Sequence, residues 1–175
     1  GWCIKPPANS VLIFEEGSVI KAAAGLQSWT RVVQFANSDN TKVFGTMEVD
    51  ANVDNIGTPN NEHMHAIMLY DTKNFYAETF IARNARGDGI GIFGTDLTNG
   101  STGYINRIIS SRCGRKCIAA NAFDFEIGSA HLDNSEGGAQ LFGGVADSTD
   151  GNCLDIEPDV VGPSMQQSWL RIGSL

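Results

Sequence analysis

The chain has 175 residues, of which 42% are hydrophobic and 18% are charged, and its formal net charge is −8. This composition indicates a single domain, 1–175, with enough apolar residues for a core, and it excludes a disordered chain. The acidic balance argues against nucleic acid or an anionic membrane as a partner. No apolar run is long enough to span a membrane.

In chain order, the first extended segment is Val11–Lys21, followed by Arg31–Asn37. Apolar residues recur two apart, and Gly, Asn, Asp and Ser divide the chain into short runs. This period predicts strands. Four later segments share one form, a polar residue, a small residue and then apolar residues at alternate positions: His65–Asp71, Asp88–Gly94, Lys116–Ala122 and Asn152–Pro158. Arg31–Asn37 is a less regular copy.

A second type of element follows the copies. Asn74–Asn84 aligns with Thr102–Arg112, and more loosely with 122–132. The alignment places Ala77 on Ile105 and Phe80 on Ile108. Two element types that recur in the same order, with loops of variable length between them, are typical of a solenoid.

Stacking such repeats would put equivalent side chains in columns. We expect one column to contain Ile67, Ile90, Ile118 and Leu154, and its neighbour to contain Leu69, Ile92, Ala120 and Ile156. The predicted fold is therefore an all-β parallel β-helix of about five to six rungs with variable loops. A β-sandwich with accidental internal similarity is the alternative.

Strand alternation predicts which side chains face outward. The expected exposed residues form four pairs: Met68 and Tyr70, Gly91 and Phe93, Ala119 and Asn121, Asp155 and Glu157. Tyr70 beside Phe93 would suit the apolar face of a pyranose ring or a neighbouring subunit. Asp155 and Glu157 would lie about 7 Å apart, within the range for the carboxyl pair of an inverting glycosidase. Alternatively, they end a strand in a solvated acidic corner.

Basic residues gather at two successive predicted turns. Arg112, Arg115 and Lys116 precede one strand, and Arg83 and Arg86 lie at the corresponding turn one repeat earlier. Stacking would bring them within roughly 5 to 10 Å of one another. Such a patch could hold uronate groups by charge-assisted hydrogen bonds, or it could be a solvated turn that balances nearby acids.

The four cysteines match no zinc-binding pattern. Cys117 and Cys153 occupy equivalent repeat positions, and Cys113 lies in the turn before. A column of thiols and a disulfide both remain open. His63 and His65 precede a repeat, where a proton-transfer or metal role is a hypothesis.

The chain resembles the right-handed parallel β-helix proteins of the pectin-lyase-like class, which includes polygalacturonases, polysaccharide lyases and phage tailspikes. The matching features are Gly89-Ile-Gly-Ile, Cys117-Ile-Ala-Ala-Asn, Cys153-Leu-Asp-Ile-Glu-Pro and the segment Val11–Lys21. The resemblance covers about residues 10–160 and is more specific for fold than for chemistry.

Against polygalacturonases, Asp88 matches the first catalytic carboxylate. Arg115 and Lys116 stand in place of the family's paired Asp, Asn152 stands in place of its His, and the family's Arg-Ile-Lys motif is missing. Resemblance to the lyases implies instead that Arg or Lys abstracts a proton, with Ca²⁺ held by carboxylates such as Asp88.

The expected function is thus a carbohydrate-active domain that binds and cleaves a polysaccharide, preferably an acidic one, as hydrolase or lyase. The catalytic candidates are Asp155, Glu157 and Asp88, and the substrate-binding candidates are Tyr70, Phe93, Arg86, Arg112, Arg115, Lys116 and Asn121. Apart from Ca²⁺ in a lyase, no metal or cofactor is expected. The alternative is a non-catalytic structural or receptor-binding module of a virion or cell-surface appendage.

Both ends of a solenoid expose unpaired backbone. No amphipathic capping helix precedes Val11, so we expect further rungs of a longer chain, or other subunits, to cover the ends. Resemblance to tailspikes implies a homotrimer in an extracellular or virion-associated setting.

Overall fold

The computed structural model describes residues 1–26, 29–56, 63–95, 100–121, 123–135, 153–156 and 169–174. Within these ranges the chain forms thirteen strands and one short 3₁₀-helix, Val53–Asn55, and no α-helix. The strands are β1 Trp2–Ile4, β2 Val11–Phe14, β3 Val19–Lys21, β4 Arg31–Ala36, β5 Lys42–Asp50, β6 Ile67–Tyr70, β7 Phe75–Arg83, β8 Ile90–Phe93, β9 Ser101–Ser111, β10 Ile118–Ala120, β11 Phe123–Asp133, β12 Leu154–Ile156 and β13 Trp169–Ile172.

The strands form two parallel sheets. One has six strands in the order β1-β4-β6-β8-β10-β12, and the other has the order β13-β11-β9-β7-β5-β2, with β3 also paired to β5. From β3 onward, successive strands alternate between the two sheets. Every pairing between described strands is parallel, so the antiparallel hairpins of a sandwich do not occur among them. The protein is therefore all-β with parallel sheets, as expected.

The strand register confirms the predicted columns, but Ile156, which ends the second column in the last strand of its sheet, is 54% exposed and not buried as expected. Ile67 is paired with Ile90, Ile90 with Ile118, and Ile118 with Leu154. In the other sheet, Ala77 pairs with Ile105 and Phe80 with Ile108, as the alignment predicts. The apolar repeat specifies this register, because a slip of one residue would turn the whole set away from the core.

The core lies between the sheets. The Phe35 ring of β4 contacts the rings of Phe75 and Phe80 in β7, with centroids 4.9 and 6.2 Å apart. All three rings are buried in one apolar cluster that also contains the isoleucines of the first predicted column. The two element types thus bury each other's inner faces.

Asparagine side chains connect successive turns. Asn40 donates from Nδ2 to Oδ1 of Asn9 (3.0 Å), and Asn74 donates from Nδ2 to Oδ1 of Asn40 (2.9 Å). All three residues have φ between 54° and 60°, a left-handed conformation that asparagine tolerates better than most residues. The ladder fixes the turn that leads into the seven-stranded sheet.

Alternation predicted the correct side of the six-stranded sheet but not the degree of exposure. Tyr70 and Phe93 are half-buried, and Met68, Ala119 and Asn121 are buried, so the expectation that all of them are exposed was wrong. Gly91 is buried partly by Phe93, because a Cβ at Gly91 would lie 2.2 Å from Cε2 of that ring. The Phe93 ring folds back along its own strand.

Candidate functional site

A polar column precedes three neighbouring strands of the six-stranded sheet. His65, Asp88 and Lys116 each stand two residues before a strand, at the polar position that opens each sequence repeat. The register of β6, β8 and β10 therefore brings the three residues side by side. Their side chains are almost completely buried.

His65 and Asp88 make direct contact. Nδ1 of His65 lies 3.1 Å from Oδ2 of Asp88 and accepts a hydrogen bond from the Asp88 backbone N–H, also at 3.1 Å. Nδ1 can make only one of these contacts at a time. Without a hydrogen it accepts the backbone N–H, and with a hydrogen it donates to Oδ2 instead. The His65 ring also packs 5.7 Å from that of Phe93, so the pair lies on the outer side of the sheet.

Asp88 is buried among polar groups, but within the described residues only one of its two carboxylate oxygens accepts a hydrogen bond. Oδ1 accepts the backbone N–H of Lys116 at 3.2 Å, and Oδ2 lies 3.9 Å from Arg115. The side chain of Asp88 is 0% exposed. A carboxylate that reaches no solvent is placed to hold two turns together, and in this conformation it does not reach a polymer bound at the surface.

Lys116 connects the column to the predicted catalytic strand. Its Nζ lies 3.7 Å from Oδ2 of Asp155, and the side chains are 0% and 29% exposed. A buried ammonium group needs such a partner because desolvation without one is costly. Asp155 is thus a partly exposed carboxylate held beside a cation, and Glu157, its predicted partner, lies outside the described residues.

The predicted basic patch is a set of ion pairs. Arg112 donates through two nitrogens to the carboxylate of Asp54, at 2.9 and 3.0 Å, and also to Oδ1 of Asn84. The hydrogen bond from Arg112 lowers the pKa of Asp54 below its usual value. Arg83 is the last residue of β7 and pairs with Glu48.

Arg86 completes the predicted set of binding cations. Its side chain is half-buried, and this burial lowers its pKa. Across the turns, the backbone N–H of Arg115 donates to the carbonyl of Gly87 at 3.2 Å. The structure therefore brings the turns of Arg86 and Arg115 together, as the sequence predicts.

Tyr70 and Phe93 are paired in register on the outer side, as predicted. Asn121 follows at the equivalent position of the next repeat and accepts the N–H of Gly94 through Oδ1 at 3.3 Å. Because Asn121 is buried and makes this hydrogen bond, its side chain holds the turn at Gly94.

The surroundings of Asp88 do not fit calcium. Ca²⁺ takes six to eight oxygen ligands, whereas His65, Arg115 and a backbone N–H face this carboxylate. Within the described ranges, no group of three or more His, Cys, Asp or Glu is placed to hold a metal ion.

Three cysteines meet at the corner before β10 and β12. Cys117 donates to the carbonyl of Ser110 at 3.4 Å, and Cys113 lies 3.6 Å from the Ser110 hydroxyl. The hydrogen bond with Cys113, together with burial, raises the pKa of Cys117. All four cysteines are free thiols, so the thiol-column alternative holds here.

Sequence reasoning missed the His65–Asp88 contact although the signal was present. Both residues open a repeat, so their adjacency follows from the same alignment that paired Ile67 with Ile90. It also missed an aromatic row on the other sheet, where Tyr76 and Tyr104 occupy equal positions of the two aligned segments. Asp54 carried no such signal, because it lies outside the repeats.

The structure defines an all-β protein of two parallel sheets with a buried charged column on the outer side of one. No protein-family model, curated protein or solved structure matches the chain. Among the described residues, no helix is both long enough and apolar enough to cross a bilayer.

Proposed function

We propose that the two sheets are faces of a right-handed parallel β-helix of the pectin-lyase-like class, and that this module binds a polysaccharide. The setting we propose is extracellular or virion-associated. The observation that carries the binding proposal is the side-by-side placement of Tyr70 and Phe93 on the outer side of the six-stranded sheet. Half-buried rings keep a fixed orientation while part of their surface remains open for a sugar ring.

The ion pairs of the predicted basic patch favour binding over cleavage. Arg112, Arg115 and Lys116 each lie beside a carboxylate, so the local charge is nearly balanced. Asp88, the carboxylate that matches polygalacturonases, is buried. The carboxylate of an acidic glycan would have to displace Asp88 from Arg115. A neutral glycan needs only the two rings and hydrogen bonds to its hydroxyl groups.

The test measures the affinity of soluble oligosaccharides, neutral and uronate-containing, by calorimetry. Tyr70→Ala should weaken binding about tenfold or more, because an aromatic anchor of a binding site is typically worth more than 1 kcal/mol. Tyr76→Ala, on the other sheet, is the matched control and should bind normally. Equal affinity of both variants, or no binding to a broad panel, would reject the proposed site.

Cleavage is the second candidate, and the partial exposure of Asp155 favours it. A hydrolase should release reducing ends, and a lyase should release an unsaturated product that absorbs in the ultraviolet. Asp155→Asn should abolish either activity while leaving oligosaccharide affinity unchanged. Thermal unfolding of this variant checks that the fold survives the loss of the charge beside Lys116. Binding without any product would favour the alternative function, a non-catalytic receptor-binding or structural module.

A further inference from the structure

The outer side of the seven-stranded sheet has an apolar stripe across four adjacent strands. The stripe consists of Ile13 in β2, Phe44 in β5, Tyr76 in β7 and Tyr104 in β9. Ile13 pairs in register with Phe44, and Tyr76 pairs with Tyr104. Ring centroids are 5.8 Å apart for Phe44 and Tyr76, and 6.1 Å for Tyr76 and Tyr104.

The stripe is accessible. Ile13 is 76% exposed, and the three rings are half-buried. The Tyr104 hydroxyl donates to Oδ1 of Asn106 and lies over Gly128, where a Cβ would come within 2.7 Å of it. The glycine thus gives the Tyr104 ring room to lean across the sheet.

A second row, largely aliphatic, runs beside the stripe. Ile81 and Ile109 are paired and half-buried, Val19 is exposed in β3, and Glu48 of β5 lies in register between Val19 and Ile81. Exposed aliphatic side chains mixed with rings are typical of a protein–protein contact.

The area and charge of this face fit a second copy of the chain. Its strands would cover roughly 800 Å² at ordinary strand rise and spacing, which is about what one partner contributes to a standard interface. They carry five Lys or Arg and six Asp or Glu, a difference of −1, while the whole chain carries −8. Two copies meeting here would therefore not repel each other strongly.

We propose that the chain forms a face-to-face dimer through the seven-stranded sheet, with the stripe of each copy packed on that of the other. Such an interface is isologous, because the same patch serves both partners. This proposal is independent of glycan binding at the six-stranded sheet.

The test is the mass in solution, measured by sedimentation velocity across a range of chain concentrations. Ile13→Asp and Tyr104→Lys should each raise the dimer dissociation constant about tenfold or more, because they place a charge within the contact. The control is Ile156→Asp, which changes an isoleucine that is 54% exposed in the other sheet. It should leave the dimer unchanged, and thermal unfolding of each variant shows that it still folds.

A mass of two chains, lost in both stripe variants and kept in the control, supports the proposal. A single-chain mass at the highest concentration overturns it, as does a dimer that survives both stripe variants. A closed trimer would overturn the isologous pairing. Oligosaccharide binding that is lost in Tyr104→Lys, in a chain that stays monomeric, would assign the stripe to a glycan instead.

Discussion

Gly45 and Gly17 have the same backbone conformation in different surroundings. Both have φ of +78°, but a Cβ at Gly45 would lie 2.2 Å from the carbonyl oxygen of Phe14, whereas no atom of the described residues lies within 4 Å of a Cβ at Gly17. Substitution at Gly17 therefore measures the cost of the left-handed conformation alone, whereas substitution at Gly45 adds the cost of disturbing the close packing between β2 and β5.

We expect Gly17→Ala to lower the free energy of unfolding by about 1 to 2 kcal/mol, the cost of a left-handed alanine. Gly45→Ala should lose at least about 2 kcal/mol more, because β2 must also move away from β5. Urea unfolding of both variants measures the difference. Equal losses would show that β2 does not approach β5 as described.

Asp50 links three turns through one carboxylate. Burial raises its pKa, but the hydrogen bonds from Asn84 and from the backbone of Asn52, with the charge of Lys21, outweigh burial and bring the pKa below its usual 3.8. A folded-state pKa below the unfolded one adds stability at pH values above the unfolded pKa. That stability is lost as the pH falls through the folded value.

We therefore expect the stability advantage of the native chain over Asp50→Asn to be constant above about pH 5 and to shrink as the pH falls below 4. Chemical unfolding at a series of pH values measures it. Glu16→Gln, at an exposed turn residue, is the charge-matched control. An advantage that persists undiminished at pH 2 would contradict the assigned contacts.

At the scale of the elements, the asparagine ladder sets how successive turns stack. Asn40 is its middle member and makes two side-chain bonds, whereas Asn9 makes one of those bonds. Both residues are left-handed, with φ of 57° and 60°.

Asn40→Ala should therefore destabilise the fold by about 1 kcal/mol more than Asn9→Ala, the net value of one further hydrogen bond. Thermal or urea unfolding of the two variants and of the double variant tests this. Because the two share a bond, their effects should add to more than the loss in the double variant. Strict additivity would argue against the ladder.

The repeated strands and their register could be predicted from the sequence, because the apolar repeat leaves one way to bury Ile67, Ile90 and Ile118 together. The nine-residue strand β5 was not predicted, and the segment Val11–Lys21 forms two strands, β2 and β3, where one extended segment was expected. Exposure could not. Alternation tells which side of a strand Met68 or Ala119 occupies, but not what other parts of the chain lie over that side. Charge partners such as Arg112 and Asp54 meet across 58 positions in the sequence, which no local pattern encodes.

At the scale of the whole molecule, each sheet joins segments that are distant in the sequence. Strands separated by a complete passage through the other sheet are paired, so few local contacts support any one strand before its neighbours are in place. The free energy of the fold therefore depends on many strand pairs together. The outer sides of the two sheets are separate surfaces, and we propose a glycan at one and a second copy at the other.

The fold depends on Ile67, Ile90 and Ile118 lying next to one another in parallel strands. Nuclear Overhauser effects between backbone protons of an isotopically labelled chain test it most directly, because adjacent strands are about 4.8 Å apart. We expect cross-strand signals that join the neighbourhood of Ile67 to that of Ile90, and Ile90 to Ile118, with parallel offsets. Signals that instead pair β6 with β7 in antiparallel fashion would contradict it.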